Sequence, residues 1–236
     1  MRGPVFVVVA AYNEADRIGQ TLAALELAFP GAPLWVADDG STDGTSRIAA
    51  EGGARVVRSE RVIGKGGAVT VAAREALAFA QESSGAQPAE EGELPVFLLC
   101  DGDLAESAGE LGALVEVVAS GKADLAVAAF ARRLGGGFGL ALAFARWAIR
   151  ARCGLDTTAP ISGQRALSAA ALHDVLPLAH GYGMEVGMTI DAVRAGHRLV
   201  EVELDLSHRT SGRTLAGFAH RARQLVDFIR AYLARR

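Results

Sequence analysis

Several features that are common in other proteins are scarce in this chain of 236 residues, and each absence excludes a class of protein. Only two cysteines occur, Cys100 and Cys153, which excludes a disulfide-stapled fold and favours a reducing compartment. No apolar run reaches the roughly 18 to 20 residues that span a bilayer, and the first residues do not resemble a signal peptide. Aromatic residues make up 6% and the net charge is -3, which argues against a nucleic-acid-binding protein. We therefore expect a cytoplasmic protein that is free or bound at the cytoplasmic membrane surface.

Strand-like and helix-like segments alternate along the first half of the chain. Short apolar strands are predicted at five places, with helical segments between them: residues 5–10, 34–37, 55–57, 96–100 and 125–129. Asn13 is expected to cap the first of these helices. This alternation predicts an α/β fold with a mostly parallel central sheet flanked by helices. Since no Pro/Ser-rich linker divides the chain, we expect one domain over residues 1–236.

The second half has a looser pattern. Helices are predicted at residues 140–152, 168–176, 184–195 and 215–233, and a half-exposed strand at residues 199–206. The last helix is amphipathic, with apolar residues and arginines on different sides. We expect residues 1–130 to bind a nucleotide-linked donor and residues 131–236 to bind an acceptor.

Two acidic motifs follow predicted strands directly. The segment D-D-G-S-T-D-G-T begins with Asp38 and Asp39, whose carboxylates can accept hydrogen bonds from a base or a ribose. Asp43 in the same segment is better explained as a helix cap. The segment D-G-D places Asp101 and Asp103 around Gly102, and two carboxylates at this spacing can hold Mg²⁺ or Mn²⁺ together with phosphate oxygens. Ligands of parallel sheets bind beyond the carboxyl ends of the strands, where both motifs are expected.

A glycine-rich segment, G-K-G-G at residues 64–67, lies between the acidic motifs. Its glycines allow close approach of a backbone at a helix start, and Lys65 adds a positive charge, so the segment suits an anion. The spacing matches neither a Walker A loop nor a G-x-G-x-x-G dinucleotide fingerprint.

Three motifs in the second half contain further candidate residues. The first, S-G-Q-R, is predicted to form a turn and comprises Ser162, Gly163, Gln164 and Arg165. The second, G-Y-G-M-E-V-G, places Glu185 near a helix start, where it is a candidate base, a sugar-hydroxyl acceptor or a charge favoured by the helix dipole. The third, S-H-R-T-S-G-R, offers His208 as a metal ligand and Arg209 and Arg213 as diphosphate ligands.

Arginines are concentrated in two segments despite the negative net charge. Residues 131–152 and 208–236 are rich in arginine and apolar residues and nearly free of acids. Such segments suit an anionic partner such as a diphosphate or a phospholipid surface. The final helix is equally compatible with packing on the sheet or with a homodimer contact.

The motifs, in this order, resemble the GT-A glycosyltransferases of family 2 over nearly the whole chain, from A-Y-N-E at residues 11–14 onwards. The resemblance implies a hexosyltransferase that uses a UDP- or GDP-sugar with Mg²⁺ or Mn²⁺. It implies that Ala11, Tyr12, Glu14, Asp38 and Asp39 surround the nucleotide. Lys65 would lie near the base or diphosphate, with Asp101, Gly102 and Asp103 near the ribose and metal.

Two subgroups of this family are similar, and they differ in the acceptor. Polyprenyl-phosphate sugar synthases share the S-G-x-R-A turn and the preceding arginine-rich helix. Glucosyl-3-phosphoglycerate synthases share G-Y-G-x-E-x-G and a later histidine that binds metal, which implies that His208 does so here. The arginine-rich segments favour a lipid phosphate over a small phosphorylated acid. A non-catalytic module that binds nucleotide sugars is the alternative from another class, although both acids of D-G-D are present. A nucleotidyltransferase is disfavoured, since A-Y-N-E-A stands where a triphosphate loop would follow the first strand.

Overall fold

The computed structural model describes residues 3–84, 94–130, 139–206 and 215–235. Its strands are β1 Val5–Ala11, β2 Leu34–Asp38, β3 Arg55–Arg58, β4 Val96–Asp101, β5 Leu125–Phe130, β6 Arg165–Ser168 and β7 Leu199–Leu204. Its α-helices are α1 Ile18–Ala28, α2 Thr45–Glu51, α3 Lys65–Ser84, α4 Gly112–Ala119, α5 Gly139–Cys153, α6 Ala169–Val175, α7 Met184–Arg194 and α8 Leu215–Ala234. Short 3₁₀ turns precede α4 and α7, at Ala105–Leu111 and Gly181–Gly183.

The seven strands form one sheet in the order β3-β2-β1-β4-β6-β5-β7. Neighbouring strands are parallel except at β6, which pairs antiparallel with both β4 and β5. The chain winds outward from β1 to β3 and then returns to the other side of β1 with β4. This change of direction creates a crevice beyond the carboxyl ends of β1 and β4, where open α/β sheets bind their ligands.

Alternate side chains of each central strand enter two different apolar layers. Phe6 and Val8 of β1 pack under α3, α6 and α7, whereas Val7 and Val9 pack under α1, α2 and α4. Because both faces of the sheet are covered at its centre, strands β1, β2, β4 and β5 are largely apolar runs, as the sequence predicts. A third cluster joins α5, α7 and α8 beside the sheet. In the described parts of the chain, no helix is long and apolar enough to cross a membrane.

The predicted strands and the α/β class are confirmed, but two local predictions are wrong. Residues 165–168 form strand β6 where the sequence predicts only a turn. Asn13 does not cap α1, which begins at Ile18; it has a positive φ of 55°, and its side-chain oxygen accepts from the Thr42 amide instead. The N-cap residue of α2 is Gly44, not Asp43, but the Asp43 carboxylate does accept from the amide of Thr45, the first residue of the helix.

Candidate active site

The crevice between β1 and β4 is held in shape by backbone hydrogen bonds. The amide of Gly102 donates to the Ala10 carbonyl at 2.8 Å, and the amide of Asp39 donates to the Ala11 carbonyl at 3.0 Å. The three strand ends β2, β1 and β4 are therefore joined directly beyond the sheet. Tyr12 is exposed at the end of β1, next to this junction.

The D-G-D turn that follows β4 is fixed by α1. The Thr21 hydroxyl is fully buried, donates to the Gly102 carbonyl at 2.9 Å and accepts from the Ala105 amide at 2.9 Å. Arg17 donates to the Asp103 carbonyl at 3.1 Å. These bonds hold the backbone of the turn that carries Asp101 and Asp103. Neither Thr21 nor Arg17 is conspicuous in the sequence, because a threonine and an arginine at a helix start are common.

Lys65 joins two acids that are far apart in the sequence. Its Nζ lies 2.6 Å from Asp101 Oδ1 and 2.7 Å from Glu185 Oε1. Burial alone would lower the pKa of Lys65, but the two carboxylates raise it well above its usual value. Lys65 is therefore charged at every pH at which the protein is expected to work. The sequence predicts Lys65 near Asp101; its contact with Glu185 follows only from the fold.

The S-G-Q-R segment leads into β6 and lies against the same cluster. Gln164 Nε2 donates to Asp101 Oδ2 at 2.8 Å, and Ser162 Oγ donates to Gln164 Oε1 at 3.2 Å. A Cβ added to Gly163 would lie 2.6 Å from both Asp101 Oδ2 and Lys65 Nζ, so no other residue fits there without moving the ion pair. Three of the four predicted acceptor residues of this segment thus surround Asp101.

Arg165, the fourth, has a side chain with no exposed surface. Its Nε donates to the Ser162 carbonyl at 2.8 Å and its Nη1 to Thr189 Oγ1 at 2.9 Å, while Thr189 donates onward to the Glu185 carbonyl at 3.0 Å. Burial lowers the pKa of Arg165 to about 10, although Glu185 acts in the opposite direction. In this structure Arg165 supports the backbone around Ser162 and Glu185, and direct contact with an acceptor remains a prediction.

The two acids at the end of β2 bind protein groups in this structure. The Asp38 carboxylate is fully buried, accepts from the Ser41 amide at 2.8 Å and contacts the Ser46 hydroxyl. Asp39 accepts from the amides of Ile63 and Gly64, at 2.7 Å and 3.0 Å. Burial raises the pKa of Asp39, although these amides act against the shift. Asp39 therefore fixes the loop that leads to Lys65, and contact of either acid with a nucleotide stays a prediction.

The glycines around Lys65 are needed for packing within the protein. A Cβ on Gly66 would lie 1.8 Å from the Ala179 carbonyl oxygen, so α3 touches the segment before the Gly181–Gly183 turn. This close approach places Lys65 beside Glu185. The expectation that these glycines admit an anion is not tested by the packing, which shows a protein neighbour at Gly66.

The G-Y-G turn before Glu185 is packed against α8. Asp227 of α8 is 5% exposed, and its Oδ2 accepts from the Tyr182 amide at 3.2 Å. A Cβ on Gly181 would lie 2.3 Å from the same oxygen, and one on Gly183 would lie 2.8 Å from the Asp227 carbonyl. The glycines of this motif therefore admit α8, and Asp227 is a site-supporting residue that sequence reasoning missed. The sequence feature that could have identified Asp227 is its position as a single acid in an arginine-rich helix.

Asp101 and Asp103 are the described residues that suit a divalent metal ion. Hard cations such as Mg²⁺ prefer oxygen ligands and are commonly held by one or two carboxylates plus substrate phosphates and water. The two carboxylates of Asp101 and Glu185 share the single ammonium of Lys65, so this cluster keeps a net negative charge that a cation can offset. Within the described ranges, no group of three or more His, Cys, Asp or Glu side chains forms a complete metal cage. The predicted ligands His208, Arg209 and Arg213 lie outside the described residues.

The sequence profile of Glycosyl transferase family 2 matches residues 6–154, which include β1 to β5 and both acidic motifs. The chain belongs to glycosyl transferase family 2. The predicted family, the GT-A fold and the transfer of sugar from a nucleotide sugar are thereby confirmed.

Individual relatives of this family 2 chain include both predicted subgroups. Undecaprenyl-phosphate mannosyltransferase of Micrococcus luteus is 29% identical over 227 residues, which cover 89% of this chain and 86% of the relative. Glucosyl-3-phosphoglycerate synthase of Mycobacterium tuberculosis in complex with Mg²⁺ and uridine-diphosphate is 29% identical, with a TM-score of 0.71 over 97% of this chain and 79% of that one. The same enzyme with Mn²⁺, uridine-diphosphate-glucose and glycerol 3-phosphate is 26% identical, with a TM-score of 0.69 over 97% and 80% of the two chains. The predicted donor class and metals match the ligands of these structures.

Gly163→Ala tests the contact between this glycine and the ion pair of the family 2 site. The added methyl group displaces the flexible ends of Lys65 and Asp101, not backbone, so stability should change by less than about 1 kcal/mol while sugar transfer falls about 10- to 100-fold. Initial rates and thermal unfolding measure the two effects. Gly112→Ala is the control, because a Cβ at Gly112 meets nothing within 4 Å. Equal losses of activity in both variants would contradict the assigned contact.

Glu201 of β7 holds the loop that precedes Ser162. Its carboxylate accepts from the amides of Thr158 and Ala159 at 3.0 Å and contacts the hydroxyls of Thr157 and Thr158. Burial raises the pKa of Glu201, but these hydrogen bonds act more strongly together and lower it below its usual value.

Glu201→Gln should therefore show pH-dependent destabilisation. A carboxyl whose pKa is lowered on folding stabilises the protein above its unfolded pKa, and this stabilisation disappears as the pH falls through the folded value. We expect the variant to lose about 1 to 2 kcal/mol of unfolding free energy at pH 7, and the difference from wild type to shrink below about pH 4.5. Urea unfolding at several pH values measures this. Glu203→Gln, on the same strand at an exposed position, should show no such trend; a similar trend there would contradict the assignment.

Proposed function

We propose that this family 2 enzyme transfers a hexose from a nucleoside-diphosphate sugar to a polyprenyl phosphate at a membrane surface, with Mg²⁺ or Mn²⁺ as cofactor. The observation that carries the proposal is the Lys65–Asp101–Glu185 cluster at the β1/β4 crevice. In the reaction, an acceptor phosphate oxygen forms a bond to the anomeric carbon. The bond from that carbon to the diphosphate oxygen breaks, and the nucleoside diphosphate leaves with the electron pair.

The donor side is supported by the charges beyond β4. Asp101 and Asp103 would hold the metal ion, which when bound neutralises charge on the departing diphosphate. Tyr12 is exposed beside the crevice, where a nucleotide would lie, and Lys65 starts α3, whose first amides favour an anion. The Mycobacterium tuberculosis relative has been solved with Mn²⁺ or Mg²⁺ and uridine-diphosphate, which supports a donor and a cofactor of the same class here.

The acceptor side is supported by the pairing of Glu185. Its carboxylate is 2.7 Å from Lys65 Nζ and nearly buried, so it is poorly placed to remove a proton from an acceptor hydroxyl. A phosphate acceptor is already an anion and needs no base. The Micrococcus luteus relative, a mannosyltransferase named for undecaprenyl phosphate, supports an acceptor of this class.

Transfer to a small phosphorylated acid is the second candidate. It is favoured by the structural similarity to glucosyl-3-phosphoglycerate synthase and by the shared G-Y-G-x-E-x-G motif that ends at Gly187. In this case Glu185 and Lys65 would bind the acceptor or the sugar, and the acceptor would reach the site from water. The two candidates share the donor class and the metal. They differ in the acceptor that enters beside Glu185, and the resemblance to glucosyl-3-phosphoglycerate synthases implies a retaining reaction for the second.

One assay with two acceptors distinguishes these candidates. The full chain is incubated with UDP- and GDP-hexoses and Mn²⁺ or Mg²⁺, and with either a polyprenyl phosphate in detergent or 3-phosphoglycerate. We expect metal-dependent release of nucleoside diphosphate and transfer of radiolabelled sugar into the organic phase with the polyprenyl phosphate alone. Labelled product only with 3-phosphoglycerate would favour the second candidate. Nucleotide-sugar binding without turnover on any acceptor would favour a non-catalytic module.

A further inference from the structure

Helices α5 and α8 pack along each other through their inner faces. Ala145, Ala148 and Ile149 of α5 are buried with Phe228 of α8 in the third apolar cluster. Arg152 lies over the Tyr232 ring at 3.8 Å and donates to the Tyr232 carbonyl at 3.2 Å. The two helices are thus joined and share one outer surface.

That outer surface, here named the α5–α8 outer face, carries exposed large apolar side chains. Its α8 part consists of Val226, Ile229 and Leu233, which recur three and four residues apart and so form one stripe. Trp147 of α5 is 52% exposed and extends this stripe, because its ring lies 4.9 Å from that of Tyr232. Leu140, at the start of α5, is also exposed. Apolar side chains exposed together in this way mark an interaction surface.

The charges beside the apolar stripe are mainly positive. Helix α5 contains Arg146, Arg150 and Arg152 and no acid. In the part of α8 whose side chains are described, Arg223 and Arg230 are exposed, while Asp227 faces inward against the G-Y-G turn. Asp156, just after α5, pairs with Arg150 at 3.3 Å. A basic rim around Trp, Tyr and aliphatic side chains is complementary to an anionic bilayer surface.

A second copy of the chain fits this face less well. In a two-fold dimer through the same face, each arginine-rich rim would meet its own copy, and like charges opposed across an interface are unfavourable. The whole protein has a net charge of -3, so the positive charge of the α5–α8 outer face is a local property and does not follow from the overall composition. The charges therefore favour lipid over a second copy.

We propose that the α5–α8 outer face docks on an anionic lipid bilayer, with Trp147, Ile229 and Leu233 inserted at the level of the headgroups. The inference rests on the proposed function, in which the acceptor phosphate is carried by a membrane lipid. Through Asp227, α8 is bonded directly to the turn that precedes Glu185, so docking holds the acceptor side of the site at the membrane surface.

Vesicle binding of the full chain tests this inference. We expect co-sedimentation with vesicles of phosphatidylcholine and phosphatidylglycerol, weaker binding at high salt, and little binding to phosphatidylcholine alone. The chain has two tryptophans, and Trp35 is buried, so a blue shift of tryptophan fluorescence on vesicle addition would report Trp147. The double variant Ile229→Glu/Leu233→Glu should bind the mixed vesicles at least about tenfold more weakly. Leu27→Glu, at an exposed leucine of α1, is the matched control and should bind as wild type does.

The outcomes separate the docking surface from the proposed function. If wild type fails to bind anionic vesicles but transfers sugar to a polyprenyl phosphate in detergent, the docking inference is wrong and the proposed function stands. If vesicles are bound through this face but only small phosphorylated acids accept sugar, the docking surface stands and the lipid acceptor is wrong. A dimer in sedimentation velocity that the double variant dissociates, without vesicle binding in wild type, would overturn the docking inference in favour of a homodimer. Retained transfer by the double variant in detergent confirms that it folds.

Discussion

Asp103→Ala is expected to reduce metal-dependent release of nucleoside diphosphate by about two to three orders of magnitude, with the fold retained. The carboxylate lies in the turn beyond β4, where the proposed metal ion would offset charge on the leaving diphosphate. Removing it costs several kcal/mol of charge stabilisation in the transition state, and each 1.36 kcal/mol is about a tenfold change in rate. The turn itself should survive, because Thr21 and Arg17 bind its backbone carbonyls. Release of nucleoside diphosphate, followed at increasing Mn²⁺, measures the effect.

Glu106→Ala is the control for this prediction. Glu106 is an exposed acid three residues further along, in the 3₁₀ turn that follows the same motif. Its removal changes the local charge equally but takes no group from the crevice, so release should stay within about twofold of wild type. Thermal unfolding of both variants shows whether either is misfolded. Release by Asp103→Ala close to that of Glu106→Ala would remove Asp103 from the metal site.

The sheet was predictable from the sequence because its central strands are buried on both faces. Val5–Ala11 and Val96–Asp101 are continuous apolar runs that end in polar turns, and that pattern leaves few alternatives to a parallel sheet. Strand β6 was not predictable in the same way. It has only four residues and begins with the buried Arg165, so its antiparallel place between β4 and β5 depends on partners distant in sequence.

The candidate site was predictable only as a collection of residues. Strand ends identify Asp39, Lys65 and Asp101 as neighbours, since the carboxyl ends of parallel strands share an edge. The partner of Lys65 across the crevice, Glu185, is 120 positions further along the chain, and no local pattern indicates that contact. Nor does the sequence show that Asp39 binds the loop before Lys65, because a carboxylate can serve a backbone amide as well as a ribose.

Lys65→Met should cost both stability and activity, because it removes the cation that separates two acids. With the ammonium gone, the carboxylates of Asp101 and Glu185 are left close together in a nearly closed site, and removing one partner of a buried ion pair typically costs about 3–5 kcal/mol. Since Lys65 and Asp101 keep some contact with solvent, we expect about 2–4 kcal/mol of unfolding free energy to be lost. Sugar transfer should fall at least about 100-fold, because the ammonium that we propose to face the donor diphosphate is lost.

The pH dependence of this loss separates charge repulsion from simple loss of packing. Without Lys65, the carboxylates of Asp101 and Glu185 repel each other when both are charged, so the variant should lose stability as the pH rises. The stability deficit of Lys65→Met should therefore be larger at pH 8 than at pH 5.

Adding Glu185→Gln to Lys65→Met should restore most of the stability without restoring transfer, since a neutral amide removes the repulsion but not the need for the ammonium. Lys122→Met, at an exposed lysine after α4, should show no deficit at either pH. A deficit that is equal at both pH values and unchanged by Glu185→Gln would contradict this prediction. It would mean that Lys65 stabilises the protein through the packing of its side chain and not through its charge. The Lys65–Glu185 contact would then not hold the site together.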